Sequence, residues 1–265
     1  MMLFFLIHIY IDNSIRLPAG VQSNGLGGIT LFISEGLSAF HNPVLIHKTK
    51  FNFTLSRWFN ETNLLDLGAE YKNYGFGVSY LNYGKIQGYD DYGFPTHEFV
   101  PYDLTLAIAK RFNIFGLNLK NFQTKIDSIL FLGFAGGISS LLEYKNIAFG
   151  IRVDNLGAEI LNKVDVPIII SSGCRFRLPE GFSFFIEARG MNFELSSGVV
   201  YEYENLKICS GIKYLAPKKY VEKISYADIN FSGGLTISFD EYEIGYSFVY
   251  TQVANAHLVG IIFTP

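Results

Sequence analysis

The chain has little charge, because Lys, Arg, Asp and Glu together make up only 17% of its 265 residues, whereas about 25% is usual for a soluble domain. Hydrophobic residues account for 49% of the chain and aromatic residues for 16%. This balance indicates that part of the surface faces something other than water. The net charge is −3 and no basic run is longer than Lys218-Lys219, so a nucleic-acid partner is excluded.

Long apolar runs are also missing. After the N-terminus, no stretch approaches the roughly 18 uninterrupted apolar residues that span a bilayer as a helix, so the sequence argues against a helical membrane protein. The first eleven residues, MMLFFLIHIYI, have the length of the apolar part of a signal peptide. No Lys or Arg precedes them and no Ala-x-Ala site follows them. We therefore predict a signal-peptide-like N-terminus over residues 1–19, with cleavage somewhere between Asn13 and Ser23.

Apolar and polar residues alternate from residue 48 to the end, in segments of about ten residues, the length of a tilted transmembrane strand. The stretch from Tyr242 to Tyr250 shows this best, because every second residue is large and apolar while Glu243, Gly245 and Ser247 lie between. One face suits lipid and the other does not. Turn residues divide the chain into fourteen such segments, at 48–58, 63–71, 74–84, 98–111, 113–122, 127–140, 142–154, 165–179, 182–192, 194–203, 205–214, 229–239, 241–251 and 256–264.

These segments predict an all-β fold, a transmembrane antiparallel β-barrel of about 14 strands surrounded by the lipid of a bacterial outer membrane. The longer connections at 84–98, 154–165 and 214–229 are predicted to be the loops of one rim. A soluble β-sandwich also alternates, but its strands are usually about 5 to 6 residues long. The phase of the alternation points Cys174 to lipid and Cys209 to the lumen, so we predict two unpaired thiols.

Motifs for catalysis or cofactor binding are scarce. The stretch NGLGG lacks the strand, helix and Lys-Ser/Thr of a phosphate-binding loop, and a tight turn explains it better. The five histidines have no ligand-like spacing; an outer-membrane lipase would require one of them, such as His41 or His257, to pair with a serine and a carboxylate. Asp90 and Asp91 lie in a predicted loop without the spacing of a calcium site. The prediction is therefore no enzyme, no cofactor and no metal.

Several short motifs occur in an order that resembles the PorV/PorQ family of outer-membrane proteins, a branch related to FadL-type fatty-acid channels. Between residues 19 and 45 the family pattern is a glycine, a Gly-x-Gly-Gly turn, a short strand, an acidic helix and Asn-Pro. The other matching motifs lie along the rest of the chain. The matching residues are Gly20, Gly25, Gly27, Gly28, Glu35, Asn42, Pro43, Tyr102-Asp103 and Arg152-x-Asp154-Asn155-Leu156-Gly157.

The resemblance implies a 14-stranded barrel over residues 47–265 with an N-terminal hatch, or plug, over residues 20–46 lodged in its lumen. It implies that Gly25, Gly27 and Gly28 form the tight turn of the hatch, and that Asn42 and Pro43 form the hinge between hatch and wall. It also implies a non-enzymatic partner in type IX-like protein secretion or envelope assembly.

Two other functions remain open at this stage: a FadL-like channel for hydrophobic small molecules, and a purely structural membrane protein. A strand interrupted by glycine would favour the channel, and Gly133, Gly136 and Gly137 make the sixth segment the candidate.

Seven charged residues are predicted to point into the lumen. They either line a polar path or form a cross-strand charge network that fills the lumen and braces the hatch. The residues are Arg152, Arg175, Arg177, Glu187, Arg189, Glu202 and Glu243.

Overall fold

The computed structural model describes residues 19–58, 61–90, 92–190, 193–216, 228–251 and 255–265. The predicted signal peptide lies almost entirely outside the described residues. The described strands are β1 (Lys50–Arg57), β2 (Asn63–Tyr71), β3 (Tyr74–Asn82), β4 (Ile86–Tyr89), β5 (Pro95–Phe99), β6 (Tyr102–Phe112), β7 (Phe115–Ile126), β8 (Ile129–Tyr144), β9 (Ile147–Glu159), β10 (Ile169–Arg177), β11 (Phe182–Arg189), β12 (Glu194–Tyr203), β13 (Leu206–Leu215), β14 (Asp228–Phe239), β15 (Tyr242–Tyr250) and β16 (Asn255–Phe263).

Fourteen of these strands form a closed antiparallel barrel, in which each strand pairs with its neighbours along the chain and β1 pairs with β16. The predicted fold class and strand number are confirmed. At the closing seam Phe51 pairs with Phe263, so Phe263 is the aromatic residue that ends the last strand. The remaining two strands, β4 and β5, form a separate hairpin in the connection between β3 and β6, where the sequence predicted only a loop.

The two ends of the barrel differ in their connections. At the end where β1 begins and β16 ends, here called the turn end, pairs such as β2–β3 and β6–β7 are joined by two residues. At the opposite end, here called the loop end, residues 83–101 and 160–168 connect strands, as does the connection between β13 and β14. The three longer connections therefore share one rim, as predicted. Outer-membrane barrels have short periplasmic turns and longer extracellular loops.

The outer surface of the wall is apolar because the alternation holds along the strands. On β15, Ile244, Tyr246 and Phe248 are exposed, whereas the intervening Gly245 and Ser247 are buried. At the turn end the rings of Tyr242 and Phe263 lie 4.9 Å apart, within the kind of aromatic girdle that marks a membrane interface. Cys174 is partly exposed and Cys209 is buried, and both are free, so the predicted unpaired thiols are confirmed.

Residues 19–46, here called the N-terminal segment, are almost entirely buried and contact inward-facing residues of the wall. The segment contains helix α1 (Val21–Gly25) and a 3-10 helix over Pro43–Leu45. Apolar residues such as Leu26 and Leu31 pack against Phe185 and Val200 of β11 and β12. No helix among the described residues is long and apolar enough to cross a membrane.

The order of elements in the N-terminal segment differs from the pattern that the resemblance implied. Helix α1 precedes the glycine turn, and residues 29–42 form neither a strand nor a helix. The physical reason is that side chains of the wall accept the hydrogen bonds of the backbone amides in this stretch, which would otherwise be made within a helix or a sheet. Glu187 accepts hydrogen bonds from the amides of Thr30 and Leu31, and Glu70 accepts one from the amide of Ser38.

Candidate functional site

A buried charge cluster on β9 and β11 holds the middle of the N-terminal segment. Glu187 Oε2 accepts hydrogen bonds from the Thr30 amide at 2.7 Å and the Leu31 amide at 3.0 Å. Arg189 donates from Nε to Glu187 Oε1 at 2.8 Å and from its terminal nitrogen to the carbonyl of Gly28. Hydrogen bonds with one charged partner are roughly twice as strong as neutral ones. The segment is therefore fixed to the wall by polar contacts as well as by apolar packing.

Arg152 on β9 adds a second attachment point. Its Nη1 donates to the carbonyl of His41 at 2.7 Å and to Thr30 Oγ1 at 3.1 Å. The His41 ring in turn accepts a hydrogen bond at Nε2 from the Ala19 amide at 2.8 Å. Burial, together with the positive charges of Arg152, Lys120 and Arg189, lowers the pKa of His41 well below its ordinary value. The ring is therefore neutral at neutral pH, with Nε2 free to accept.

Glu35 performs the equivalent role within the segment itself. Its carboxylate accepts hydrogen bonds from the Gln22 amide at 2.6 Å and from the Ser23 amide and hydroxyl, each at 3.0 Å. Burial raises the pKa of Glu35, and the two backbone amides oppose that change. Because Glu35 ties the later part of the segment to α1, the segment is folded on itself as well as attached to the wall.

The barrel ladder contains one irregularity among the pairings of described residues, and it lies between β8 and β9. Gly136 pairs with Leu156 and Ile138 pairs with Val153, with a register shift between them. Two residues of β9, Asp154 and Asn155, therefore oppose one residue of β8, which defines a β-bulge. The predicted interruption of the sixth barrel strand is not found, because β8 is continuous over Ile129–Tyr144; the extra residue belongs to β9, opposite Gly137.

Side-chain contacts explain the form of the bulge. Asn155 has a φ of 61°, a left-handed conformation that asparagine tolerates better than most residues. Lys120 of β7 donates to Asp154 Oδ2 at 2.8 Å and to Asn155 Oδ1 at 3.3 Å. A Cβ atom on Gly137 would lie only 2.5 Å from Asp154 Oδ1. Any larger residue at position 137 would therefore force the Asp154 carboxylate to move.

The N-terminal segment covers the bulge on the lumenal side. Asn118, which pairs with Gly137, donates a hydrogen bond to the carbonyl of Ala39 at 3.1 Å. Arg152, two residues before Asp154, holds the carbonyl of His41. A cavity of about 20 Å³ remains between the segment and the wall, bounded by Thr30, His41, Arg152, Asp154, Ile169, Arg189, Gly190 and Glu194. This volume suits a single water molecule.

An apolar cluster lies inside the wall between the bulge and the loop end. Phe122 and Ile126 of β7 and Phe131 of β8 are buried, and a Cβ atom on Gly133 would collide with the Phe122 ring. Partly buried apolar residues from the loop-end connections and the start of β8 pack against this cluster: Phe99, Ile129 and Val164. Buried carboxylates lie beside this cluster, because Asp103 accepts a hydrogen bond from Thr124 and Glu159 accepts one from the Leu132 amide. The lumen toward the loop end therefore combines apolar and acidic side chains.

The structure brings the glycines of the predicted hatch turn close to the wall. Gly25 ends α1 beside Cys209, and Gly27 and Gly28 follow with φ values of 73° and 82°. Such values favour glycine. Gly28 donates its amide to the Ser23 carbonyl at 2.8 Å, which closes the turn.

The predicted hinge residues are also buried against the wall. Asn42 is fully buried and donates to the Leu31 carbonyl at 2.5 Å. Pro43 begins the 3-10 helix, which contacts β6, β7 and β8.

The seven predicted lumenal charges separate into two groups. Arg152, Glu187 and Arg189 form the buried cluster described above. The other four lie toward the turn end, where Arg175 pairs with Glu143 and Glu243 pairs with Lys207 at 3.1 Å, while Arg177 and Glu202 are exposed.

Sequence reasoning missed Lys120, Glu70 and the ion pair between Lys213 and Glu194, 2.9 Å apart. The sequence signal for Lys120 is the alternation of β7: Leu117 and Leu119 are exposed, so Lys120 faces the lumen.

The residues considered for other chemistry have different partners in the structure. His257 Nδ1 lies 2.8 Å from the Tyr246 hydroxyl on the outer face. Asp90 closes a turn by accepting hydrogen bonds from the amides of Tyr92 and Phe94, and Asp91 lies outside the described residues. Among the described residues, no group of three or more His, Cys, Asp or Glu is arranged to hold a metal ion.

No protein-family model matches the chain, and no curated protein matches its sequence. Solved structures, by contrast, share its fold. The toluene transporter TodX of P. putida aligns with a TM-score of 0.62 at 10% identity, covering 94% of this chain and 99% of that one. The CymD monoaromatic hydrocarbon channel gives 0.61 at 11% identity, covering 94% and 98%.

A FadL homologue of Pseudomonas aeruginosa gives 0.57 at 11% identity, covering 92% and 97%. At these identities the comparison shows the fold alone, a closed antiparallel β-barrel like theirs. This fold and the apolar outer surface are those of a bacterial outer-membrane protein.

Proposed function

We propose that this protein is an outer-membrane channel for hydrophobic small molecules and that the N-terminal segment is its plug. The observation that carries the proposal is the bulge at which Asp154 and Asn155 oppose Gly137. A bulge disrupts the ladder locally and bends the strand. In a barrel wall, this is a place where a lateral path from lumen to bilayer opens at low cost in backbone hydrogen bonds.

The lumen provides a route from the loop end to the bulge between β8 and β9. An apolar molecule entering from the loop end first meets the cluster of Phe122, Ile126 and Phe131. Phe122 pairs with Gly133, and Gly133 is four residues from Gly137, about 13 Å along a strand. Ala39 and His41 of the plug cover the bulge from inside. Movement of these residues is therefore the gating step.

The structural neighbours support this proposal over the secretion role. TodX is described as a toluene transporter and CymD as a monoaromatic hydrocarbon channel. The motif Arg152 to Gly157, one of the residue sets that resembles the PorV/PorQ family, forms the bulge and its charge cluster. That motif therefore has a role within the wall that requires no secreted partner. Binding of secreted proteins at the loop end remains a prediction of the resemblance.

Transport is tested with the full barrel reconstituted in liposomes, using radiolabelled toluene and a labelled long-chain fatty acid. Deletion of Asn155 removes the extra residue and pairs Gly137 directly with Asp154, without reversing the facing of either flank. We expect uptake to fall at least tenfold. Deletion of Tyr92, an exposed residue between β4 and β5, is the matched control and should leave uptake unchanged.

If the wild-type protein takes up neither toluene nor the fatty acid, the channel is contradicted. Full uptake by the Asn155 deletion would contradict the lateral route while leaving the channel intact. A silent barrel that instead retains exported proteins from its own cell would favour the secretion role.

A further inference from the structure

A second site lies on the outer face of the wall, away from the lumen. An open groove of about 660 Å³ runs over β1, β2 and β3 at the loop end, beneath the connection that carries β4 and β5. Leu55, Leu65 and Tyr80 line its membrane side, and Arg57 and Lys85 line its loop side. Apolar and cationic side chains therefore meet within one groove.

The register of the strands places this groove at the membrane boundary. Arg57 pairs with His257 on one side and with Asn63 on the other, and Asn63 pairs with Asn82. These four residues form one polar row around the outside of the wall. The next outward-facing row toward the turn end contains Leu55 and consists of apolar and aromatic residues. That row is Val259, Leu55, Leu65 and Tyr80.

Two cations, Arg57 and Lys85, lie at the loop side of the groove. Arg57 makes no ion pair with any described residue. Lys85 lies 3.6 Å from Glu98, but both side chains are more than half exposed, and such pairs contribute little. Glu61 also lines the groove, so Glu61 and Glu98 equal the two cations in number, and a phosphate must displace the exposed Glu98 carboxylate from Lys85.

We propose that this groove binds a phosphorylated lipid of the outer leaflet. An acyl chain lies along Leu55, Leu65 and Tyr80, and the phosphate is bound by Arg57 and Lys85. The loop end faces the cell exterior in barrels of this type, so the lipid comes from the outer leaflet. Arginine binds phosphate through two parallel hydrogen bonds, and lysine binds it as a point charge.

Native mass spectrometry of the full barrel in neutral detergent, titrated with bisphosphorylated lipid A, tests this site. The double variant R57Q/K85Q removes both cations from exposed positions. The control K72Q/K145Q removes two positive charges from the turn-end rim, where each lysine lies over a tyrosine ring. We expect the groove variant to raise the lipid concentration at half-saturation at least fivefold and the control to leave it unchanged.

Heat-dependent migration on a gel verifies that both variants remain folded barrels. Equal lipid binding by the wild type and the two variants would overturn the proposal. Equal binding of dephosphorylated lipid A by the wild type would also overturn it, because the groove would then recognise the chains alone. This test is independent of transport, so its outcome does not depend on the proposed channel.

Discussion

Lys120 and Asp154 form a buried ion pair, 2.8 Å from Nζ to Oδ2, although an entire strand separates them. Lys120 lies on β7, Asp154 lies on β9, and β8 runs between. The two side chains meet because β8 presents Gly137, which has no side chain to block them. One glycine therefore permits both the bulge and the ion pair that stabilises it.

Replacement of Lys120 by Met tests this ion pair. The variant leaves the buried Asp154 carboxylate with only Arg152, whose Nε lies 3.9 Å from Oδ2, and loss of one partner of a buried ion pair costs about 3–5 kcal/mol of unfolding free energy. Urea unfolding followed by gel migration measures the loss. The double variant Lys120→Met/Asp154→Asn removes both charges and should recover at least half of it. A single variant as stable as the wild type would show that the ion pair does not stabilise the bulge.

Replacement of Glu187 by Gln should release the N-terminal segment from the lumen. The change removes a charge that accepts hydrogen bonds from the Thr30 and Leu31 amides. Cys209 is buried beside Gly25, so its reaction with a maleimide, in a Cys174→Ser background, reports release. We expect the labelling rate to rise at least tenfold.

The matched control for that experiment is Glu202→Gln, the same chemical change at an exposed lumenal position near the turn end. Its labelling rate should equal that of the parent. Equal rates for all three proteins would mean that Glu187 does not hold the segment.

Acidification should also loosen the segment, through His41. The pKa of His41 in the docked segment lies well below 6.5, while the ring of a released segment takes up a proton near pH ~6.5. The released form therefore binds more protons, and docking weakens as the pH falls through this value. Glu35, whose pKa burial raises, acts in the opposite direction.

His41→Gln isolates the histidine contribution, because glutamine keeps an acceptor for the Ala19 amide and does not titrate. The ratio of Cys209 labelling rates, wild type over variant, cancels the effects of Glu35 and of thiol ionisation. We expect this ratio to increase between pH 7.5 and pH 5.5. A constant ratio would exclude His41 as the source of acid sensitivity.

Pro43→Ala should loosen the junction between segment and wall while leaving the barrel heat-modifiable. Proline at the first position of the 3-10 helix restricts the released chain, and its removal costs about 0.4–1 kcal/mol. That corresponds to a two- to fivefold larger released population. Limited proteolysis near residue 40 measures it, and unchanged resistance would contradict the role of Pro43 as hinge.

Much of the wall could be predicted from the sequence, because lipid imposes a period of two on each strand. The bounds of β2 and β12 agree with the predicted segments to the residue. The predicted segment ends at position 154, five residues before β9 ends, because a bulge inserts a residue and breaks the alternation there. The glycines of β8 predicted an interruption of that strand, whereas the extra residue belongs to β9.

The interior was less accessible to sequence reasoning. The alternation identified Arg152, Glu187 and Arg189 as inward, but it contains no information about their partners 111 to 161 residues away. Helix α1 has only five residues, too few for a periodic pattern. Its existence depends on Glu35 and on contacts with the wall rather than on local propensity.

The closing seam has a consequence for assembly kinetics. Every other wall pairing joins strands that follow one another along the chain, apart from the β4–β5 hairpin between β3 and β6. β1 and β16 are the first and last wall strands, so their encounter carries the largest loop-closure entropy. The N-terminal segment shortens this search, because Gly25 and Gly27 bind Ser232 of β14. If the segment docks before the seam forms, the start of the wall is held beside its last strands. We therefore expect a docked segment to lower the entropic cost of closing the barrel.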